Sequence, residues 1–407
     1  MKIGLYGIYG VYNFGCEAIV RGAVKLIHDL YPSAEIIYFT YNFEYDRNVL
    51  KDIDLEVRPI KQKRSLLKRV INKFFLMINS EKRMFYFDYN KIIESVDMFF
   101  SIGGDIYTIP EVLRKKRKYP YYNSLVYFCN KAIASGKDVI VYGASIGPFG
   151  EFQNAIDYYK ENLNKYKIII CREDISINYL KKIGINNTCL FPDPAFQIKS
   201  EITESIAPIY IGINFSPLSV LEIYGNYGED NCKKFARLID RIYESTGKEL
   251  LFIPHVLSSN EKDNDYLFMK NIHLMMDSKN QPHVHFANYN NGFIGLKPQL
   301  KQCYLVMASR MHCAINAIDE NIPAIFLSYS QKSIGMCEFV YHSKEWLIDL
   351  KNVEEEALSK IQYLLENRCE IIQKIKKRNK EIETFYLENL NSIKGFLRER
   401  NEGNDNC

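Results

Sequence analysis

The chain has 407 residues, with 53 Lys or Arg against 49 Asp or Glu and a formal net charge of +4. Apolar residues make up 47% and charged residues 25%, a balance typical of globular proteins. This composition excludes a disordered chain, a collagen-like chain and a small disulfide-rich scaffold. At roughly 150 residues per domain, the length predicts two to three domains. The nearly balanced charge and the lack of a recognised module argue against nucleic acid as a partner.

The sequence predicts a cytoplasmic protein. Residues 1–10 carry one Lys followed by glycines, not the apolar core of a signal peptide. No run of about 18 uncharged apolar residues predicts a membrane span. The ten cysteines form no CxxC pair and match no zinc spacing, so we expect reduced thiols and no metal site.

Short apolar strands alternate with amphipathic helices through the first 200 residues. The strands are predicted at 2–6, 35–40, 98–102, 138–142, 167–171 and 188–191. The helices are predicted at 16–30, 124–134 and 175–183. This alternation indicates parallel sheets with helices on both faces, the α/β class.

The same pattern starts again after a polar segment at 200–208, which we interpret as a linker. Further strands are predicted at 209–215, 249–253, 303–308 and 324–328, and a helix at 235–245. From 353 to about 400 the pattern is almost entirely helical and contains no proline. The predicted organisation is a domain at 1–204, a domain at 205–350 and a helical segment at 351–407.

Ligands of open parallel sheets bind beyond the carboxyl ends of the strands, so the loops after strands hold the candidate residues. The first loop, 7–15, contains three glycines and Asn13 but lacks the GxGxxG signature of dinucleotide binding. A later loop holds two glycines and Asp105, which suits either a sugar hydroxyl or the cap of a turn. His255 also follows a strand, and a purely structural role is its alternative.

Arg172 directly follows another predicted strand, 167–171. Arginine presents a planar fork of donors that suits a carboxylate or a phosphate. The structural alternative is an ion pair with Glu173 or Asp174 that stabilises the start of the next helix.

The densest group of reactive side chains follows the last two predicted strands. Arg310 and His312 lie near the start of a helix, whose dipole favours anions. Ser328 ends the next predicted strand, and Lys332 follows it. This group suits an anionic substrate beside a proton donor or acceptor.

Several of these segments resemble the polysaccharide pyruvyl transferase family, in the family order and over about residues 1–340. The matching segments are Asn13-Phe14-Gly15, Gly103-Gly104, Ser145-Ile146-Gly147-Pro148, Arg172-Glu173-Asp174-Ile175-Ser176, Pro192-Asp193-Pro194-Ala195-Phe196, Ser309-Arg310-Met311-His312, Ile322-Pro323 and Ser328-Tyr329-Ser330-Gln331-Lys332. Cys16 departs from the pattern, because many relatives carry Asp after Asn-x-Gly. This departure leaves the binding of the acceptor open.

The resemblance implies two Rossmann-like domains facing a cleft, similar to B-type glycosyltransferases, with the acceptor on the first domain and the donor on the second. It also implies that pyruvate moves from phosphoenolpyruvate to two hydroxyls of a sugar. The product would be a cyclic ketal of a surface-polysaccharide precursor, with release of phosphate. Phosphoenolpyruvate is a co-substrate, and no cofactor is expected.

Residue roles follow from the resemblance and from the charge of the donor. The expected donor ligands are Arg172, Arg310, Ser328 and Lys332. His312 is the expected general acid, because only His titrates near neutral pH without a large shift. The candidates for the acceptor are Asn13, Asp105 and His255.

Residues 61–84 form a basic amphipathic segment. As a helix it carries one apolar stripe and one cationic face, which suits an anionic membrane surface or an ordinary packed helix. A second basic run covers 114–118. On the membrane interpretation, the protein is peripheral on the inner face of the cytoplasmic membrane, and the acceptor is a lipid-linked oligosaccharide.

Two other functions stay open at this point. A glycosyltransferase of the same architecture would use a nucleotide sugar as donor. A non-catalytic relative would bind carbohydrate, although the retained Arg310, His312 and Lys332 argue against it. The acceptor sugar and the oligomeric state do not follow from the sequence.

Overall fold

The computed structural model describes residues 1–61, 65–78, 89–109, 123–200, 206–329 and 331–402, without the side chains at 76, 331, 332 and 398–402. The chain divides into two compact units. The first comprises Met1–Gly10, Ile19–Asp193 and Leu387–Cys407, and the second comprises Val11–Ala18 and Pro194–Tyr386. Residues 201–205 of the expected linker lie outside the described residues, and the domain boundaries at 204 and 350 stay a prediction.

A parallel sheet forms the centre of the first unit, with the strand order β3-β2-β1-β4-β5-β6-β7. The strands are β1 (Lys2–Tyr6), β2 (Glu35–Thr40), β3 (Glu56–Pro59), β4 (Met98–Ile102), β5 (Asp138–Ala144), β6 (Ile168–Cys171) and β7 (Thr188–Leu190). The helices are α1 (Phe14–Leu30), α2 (Phe43–Val49), α3 (Leu66–Met77), α4 (Tyr89–Glu94), α5 (Ser124–Ala134), α6 (Gln153–Leu163) and α7 (Asp174–Lys182). β4 is buried along its whole length, as expected for a strand covered on both faces.

A second parallel sheet forms the centre of the second unit, with the strand order β10-β9-β8-β11-β12-β13. The strands are β8 (Tyr210–Asn214), β9 (Glu249–Phe252), β10 (Val284–Phe286), β11 (Cys303–Ala308), β12 (Ala324–Ser328) and β13 (Leu347–Asp349). The helices are α8 (Pro217–Tyr224), α9 (Glu229–Thr246), α10 (Asp265–Leu274), α11 (Gly292–Leu300), α12 (Met311–Asp319), α13 (Gln331–Tyr341), α14 (Val353–Glu366) and α15 (Arg368–Glu402). The part of α15 from Leu387 onward belongs to the first unit. Among the described residues, no helix is both long and apolar enough to span a bilayer.

These two sheets confirm the predicted α/β class. Five strands, β1, β2, β4, β11 and β12, have the predicted bounds. The sequence does not predict β3, β10 and β13, because these edge strands have only three or four residues and lack a long apolar run. The predicted C-terminal helical stretch is confirmed, although it consists of two helices that meet at Asn367.

Candidate functional site

In the first unit, the guanidinium of Arg172 joins the loops that follow four neighbouring strands. Arg172 itself follows β6, and its Nε donates to Ser145 Oγ after β5 at 3.0 Å. Its Nη1 donates to Asp193 Oδ2 after β7 at 2.9 Å, and its Nη2 donates to the Gly104 carbonyl after β4 at 3.4 Å. Because β4, β5, β6 and β7 are adjacent in the sheet, one buried side chain holds all four loops.

The positive charge of Arg172 is already paired inside the protein. Its side chain is only 1% exposed, and its partner Asp193 is fully buried. The sequence-based alternative predicts an ion pair of Arg172 with Glu173 or Asp174, whereas the ion pair is with Asp193. The Glu173 side chain instead accepts the N–H of Ser176 and caps α7. Burial raises the pKa of Glu173, although the hydrogen bonds from Ser176 oppose this effect.

In the second unit, Asp265 connects the ends of neighbouring strands, as Arg172 does in the first unit. This fully buried residue begins α10, and its Oδ2 accepts the N–H groups of His255 and Val256, each at 3.1 Å. The same oxygen accepts Asn214 Nδ2 at 3.2 Å, and Oδ1 accepts Arg310 Nη2 at 2.8 Å. Asp265 therefore joins the ends of β8, β9 and β11.

Two carboxylates surround the guanidinium of Arg310. Besides Asp265, Asp263 Oδ1 lies 2.5 Å from Nη2, while Nη1 makes no hydrogen bond to a described residue. Burial by itself lowers the pKa of Arg310, but the two nearby carboxylates outweigh burial and raise it. Burial raises the pKa of Asp265, and the charge of Arg310 opposes that rise. Arg310 is thus a permanent cation whose charge is more than offset by its neighbours.

The loop after β1 packs directly on the imidazole of His312. A methyl group at Gly15 would lie 2.5 Å from His312 Nδ1, so only a residue without Cβ allows this approach. The side chain of Asn13 accepts the N–H of Gly15 at 2.9 Å and fixes the turn. These loop residues belong to the second unit, where His312 lies half-buried in the first turn of α12.

His255 contacts the same loop through its backbone and its ring. Its carbonyl accepts the N–H of Phe14 at 3.0 Å, and its ring makes edge-to-face contacts with the rings of Phe14 and Phe293. Burial holds the pKa of His255 well below its ordinary value, and the neighbouring His312 and Arg310 lower the pKa further. His255 is consequently neutral at pH 7. Its burial favours a structural role, and its contact with an acceptor stays a prediction.

The other expected site residues are placed as follows. Ser328 ends β12 and is buried, and the next residue, Tyr329, lies close enough to Arg310 to affect its pKa. Lys332 is in α13, but its side chain is outside the described residues. Asp105 is half-exposed in the first unit, with Oδ1 at 3.8 Å from Arg172 Nη2.

Three further residues of the second cluster are absent from the sequence-based prediction. Asn214 is the polar last residue of the apolar strand β8, which is a usable signal, whereas Asp263 and Asp265 lie in a polar stretch without periodicity. Glu17 is fully buried, and its carboxylate accepts the N–H of Phe293 at 2.8 Å at the start of α11. Glu17 directly follows Cys16 in α1 and places a buried carboxylate beside the start of α11.

Comparison with known proteins gives a family and a fold. Residues 13–331 match the family model described as polysaccharide pyruvyl transferase. The amylovoran biosynthesis protein AmsJ of Erwinia amylovora is 21% identical, with 92% of this chain and 94% of that protein aligned.

Two solved structures are similar over most of their length. Alr3699/HepE of Anabaena, solved with UDP, has a TM-score of 0.58 at 11% identity and covers 99% of both chains. The UDP-GlcNAc 2-epimerase of Methanocaldococcus jannaschii has a TM-score of 0.54 at 13% identity, covering 90% of this chain and 93% of that one. These similarities confirm the predicted fold of the B-type glycosyltransferases.

Proposed function

Because the chain belongs to the polysaccharide pyruvyl transferase family, we propose that it transfers pyruvate from phosphoenolpyruvate to two hydroxyls of one sugar in a polysaccharide precursor. The observation that carries this proposal is the family match over residues 13–331, which includes Asn13, Arg172, Arg310 and His312. The relative from Erwinia amylovora is named for amylovoran biosynthesis, which supports a biosynthetic role. In this proposal the acceptor is a lipid-linked oligosaccharide.

The proposed reaction makes two carbon–oxygen bonds at one carbon of phosphoenolpyruvate. The first sugar hydroxyl adds to the carbon that carries the phosphate, while a proton goes to the neighbouring methylene and converts it to a methyl group. The second hydroxyl then displaces phosphate, and its proton leaves with the phosphate. The product is a cyclic ketal, and no oxidant or reductant is consumed.

His312 is the group that we propose as the proton donor to the methylene carbon. It is half-buried, it packs against Gly15, and it lies in the first turn of α12. Imidazole is suited to this step at neutral pH, and the proton of the first hydroxyl restores the one that His312 gives.

The charges of the donor need partners other than Arg172. Arg172 is enclosed and paired with Asp193, so we assign it the positioning of the strand-end loops. Arg310 Nη1, the first-turn amides of α12, Ser328 and Lys332 are the donor ligands of this proposal. In this assignment Arg310 contributes the N–H groups of Nη1, because its charge is already offset by Asp263 and Asp265.

The first test replaces His312. We expect His312→Ala to lower the rate of phosphate release by about 10² to 10⁴, the usual contribution of general acid catalysis. Phosphate release is measured with phosphoenolpyruvate and a panel of methyl glycosides. The product is identified by a mass gain of one pyruvate less one water.

His285→Ala is the matched control, because His285 lies on β10 and pairs with Glu249 outside the cluster. Its rate should equal that of the unsubstituted protein. Unchanged turnover in a folded His312→Ala protein contradicts the assignment of His312.

The second test separates pyruvyl transfer from glycosyl transfer. Phosphoenolpyruvate should raise the melting temperature of the protein, whereas UDP-glucose should leave it unchanged, because binding to the native state alone shifts the unfolding equilibrium. The opposite result would favour a nucleotide-sugar enzyme of the same fold. No response to either compound, with no phosphate release, would favour a non-catalytic relative.

A further inference from the structure

Helix α3 presents apolar side chains to solvent over most of its length. Five side chains of the helix are exposed, with Met77 at 82%, and so is Ile78, which directly follows it and whose N–H donates to the Phe74 carbonyl. The exposed set is Leu66, Leu67, Val70, Phe74, Met77 and Ile78. Contiguous exposed apolar surface of this kind marks an interaction site, since single exposed apolar residues are normal but a run of them is not.

The six side chains fall on one side of the helix. At about 100° per residue, they span an arc of about 120°, and Ile71 and Phe75, which are half-buried, lie beside that arc toward the protein. Arg69 and Lys73 lie along the other edge of the arc and are exposed. The helix contains no Asp or Glu.

These observations together select an anionic lipid surface as the occupant of this face. A second protein surface would satisfy the apolar arc, but the cationic edge without any acidic residue calls for negative charge beside an apolar layer. The 12 residues of α3 span about 18 Å, which is shorter than the hydrocarbon core of a bilayer. The helix therefore suits a position parallel to the membrane plane.

We propose that α3 docks this protein on anionic lipid bilayers, with the apolar arc in the headgroup region and Arg69 and Lys73 at the lipid phosphates. The inference does not depend on pyruvyl transfer, because it rests on the surface of α3 alone. Parts of the predicted basic segment, 62–64 and 79–84, and the basic run at 114–118 lie outside the described residues and carry none of it.

The test is flotation of the full chain with phosphatidylcholine vesicles that contain or lack phosphatidylglycerol, in low salt. We expect the chain to float only with the anionic vesicles. Phe74→Ser/Met77→Ser should weaken this binding by about tenfold or more through lost apolar burial, and Arg69→Glu/Lys73→Glu by a similar factor through lost attraction.

Matched control variants exist on other helices. Leu274→Ser/Leu387→Ser removes two comparably exposed apolar side chains, and Lys374→Glu/Lys377→Glu changes the net charge by the same amount. Both controls should float like the unsubstituted chain, and circular dichroism checks that every variant is folded.

Three results would overturn the proposal. The first is that the unsubstituted chain fails to float with anionic vesicles, and the second is that the α3 variants float as well as their controls. The third is a dimer in light scattering that the Phe74→Ser/Met77→Ser substitutions dissociate, which would make a second copy of the chain the occupant of this face.

Discussion

Arg172 and Arg310 each follow a strand that has a neighbour on both sides, yet their surroundings differ. Each arginine stands just before a helix. Arg172 is 1% exposed and has two carboxylate neighbours, fully buried Asp193 at 2.9 Å and half-exposed Asp105 at 3.8 Å. Arg310 is 10% exposed and also has two, Asp265 with no exposure and Asp263 with 30% exposure. The first arginine is enclosed by its own loops, and the second keeps one edge toward the outside.

This difference shows what a strand-end arginine does before it meets any ligand. Both guanidinium groups tie neighbouring strand-end loops together, because each has several fixed donors and keeps its charge. Whether such a group can also bind an anion depends on its exposure and on its acidic partners. In the second unit Asp265 also joins the strand ends, and Nη1 of Arg310 makes no hydrogen bond to a described residue.

The largest expected effect comes from removing Asp265. Asp265→Ala leaves two amides, Asn214 and the Arg310 guanidinium without their shared acceptor, so we expect a loss of about 4 to 5 kcal/mol in the free energy of unfolding. Urea unfolding measures this loss.

The matched control for Asp265 is Asp263→Asn, on the same guanidinium. Asp263 is partly exposed, so its replacement should cost less than about 1 kcal/mol. Equal losses in the two variants would show that Asp265 is not the centre of the second cluster.

A somewhat smaller loss is expected for the first unit. Arg172→Met removes the cation that pairs with the buried carboxylate of Asp193, which should lower the free energy of unfolding by about 3 to 4 kcal/mol. The double variant Arg172→Met/Asp193→Leu removes both charges and should recover most of the loss. If the double variant is as unstable as the single one, hydrogen bonds to Ser145 and Gly104, not the ion pair, hold these loops.

The sequence predicts the strand ends better than the contacts between them. Arg172 and Arg310 are identifiable because each follows an apolar run, and that run fixes where the chain leaves the sheet. Asp265 is not identifiable, since it lies 45 residues from Arg310 in a polar stretch, and no periodicity specifies which loops meet. The resemblance selects segments that surround Arg172, but it does not reveal that Asp193 is the partner of this arginine.

The contact between Gly15 and His312 has the same limit. Asn13 and Gly15 indicate a tight turn, and His312 indicates reactivity, but the sequence does not say that the turn packs on the ring. Edge strands such as β3 and β13 escape prediction for a local reason, because three or four residues are too short a window for a period of two.

The smallest expected effect is a pH dependence of the free energy of unfolding, which we expect from the second unit, around His255, and not from the contacts of Arg172. The pKa of His255 is held below its ordinary value in the native state, so at pH 5 to 6.5 the unfolded chain binds a proton that the native chain does not. The free energy of unfolding should therefore fall as the pH falls below about 6.5, by up to about 1.4 kcal/mol per pH unit from this group. The stability from His255 is fully present above that pH and is lost on acidification.

Urea unfolding of the unsubstituted chain and of His255→Gln between pH 7 and 5 isolates this contribution. The difference between their slopes removes the effect of Asp265, whose raised pKa acts in the opposite direction. In the first unit the one described histidine, His28, lies on α1 away from the Arg172 contacts. Amide protection factors, which correct for the intrinsic exchange rate at each pH, should consequently fall around His255 and Phe14 at pH 5 before they fall around Arg172. Identical slopes in the two proteins would mean that the imidazole of His255 takes up its proton in the native state. The conclusion that a neutral His255 packs against the loop that contains Gly15 would then be wrong.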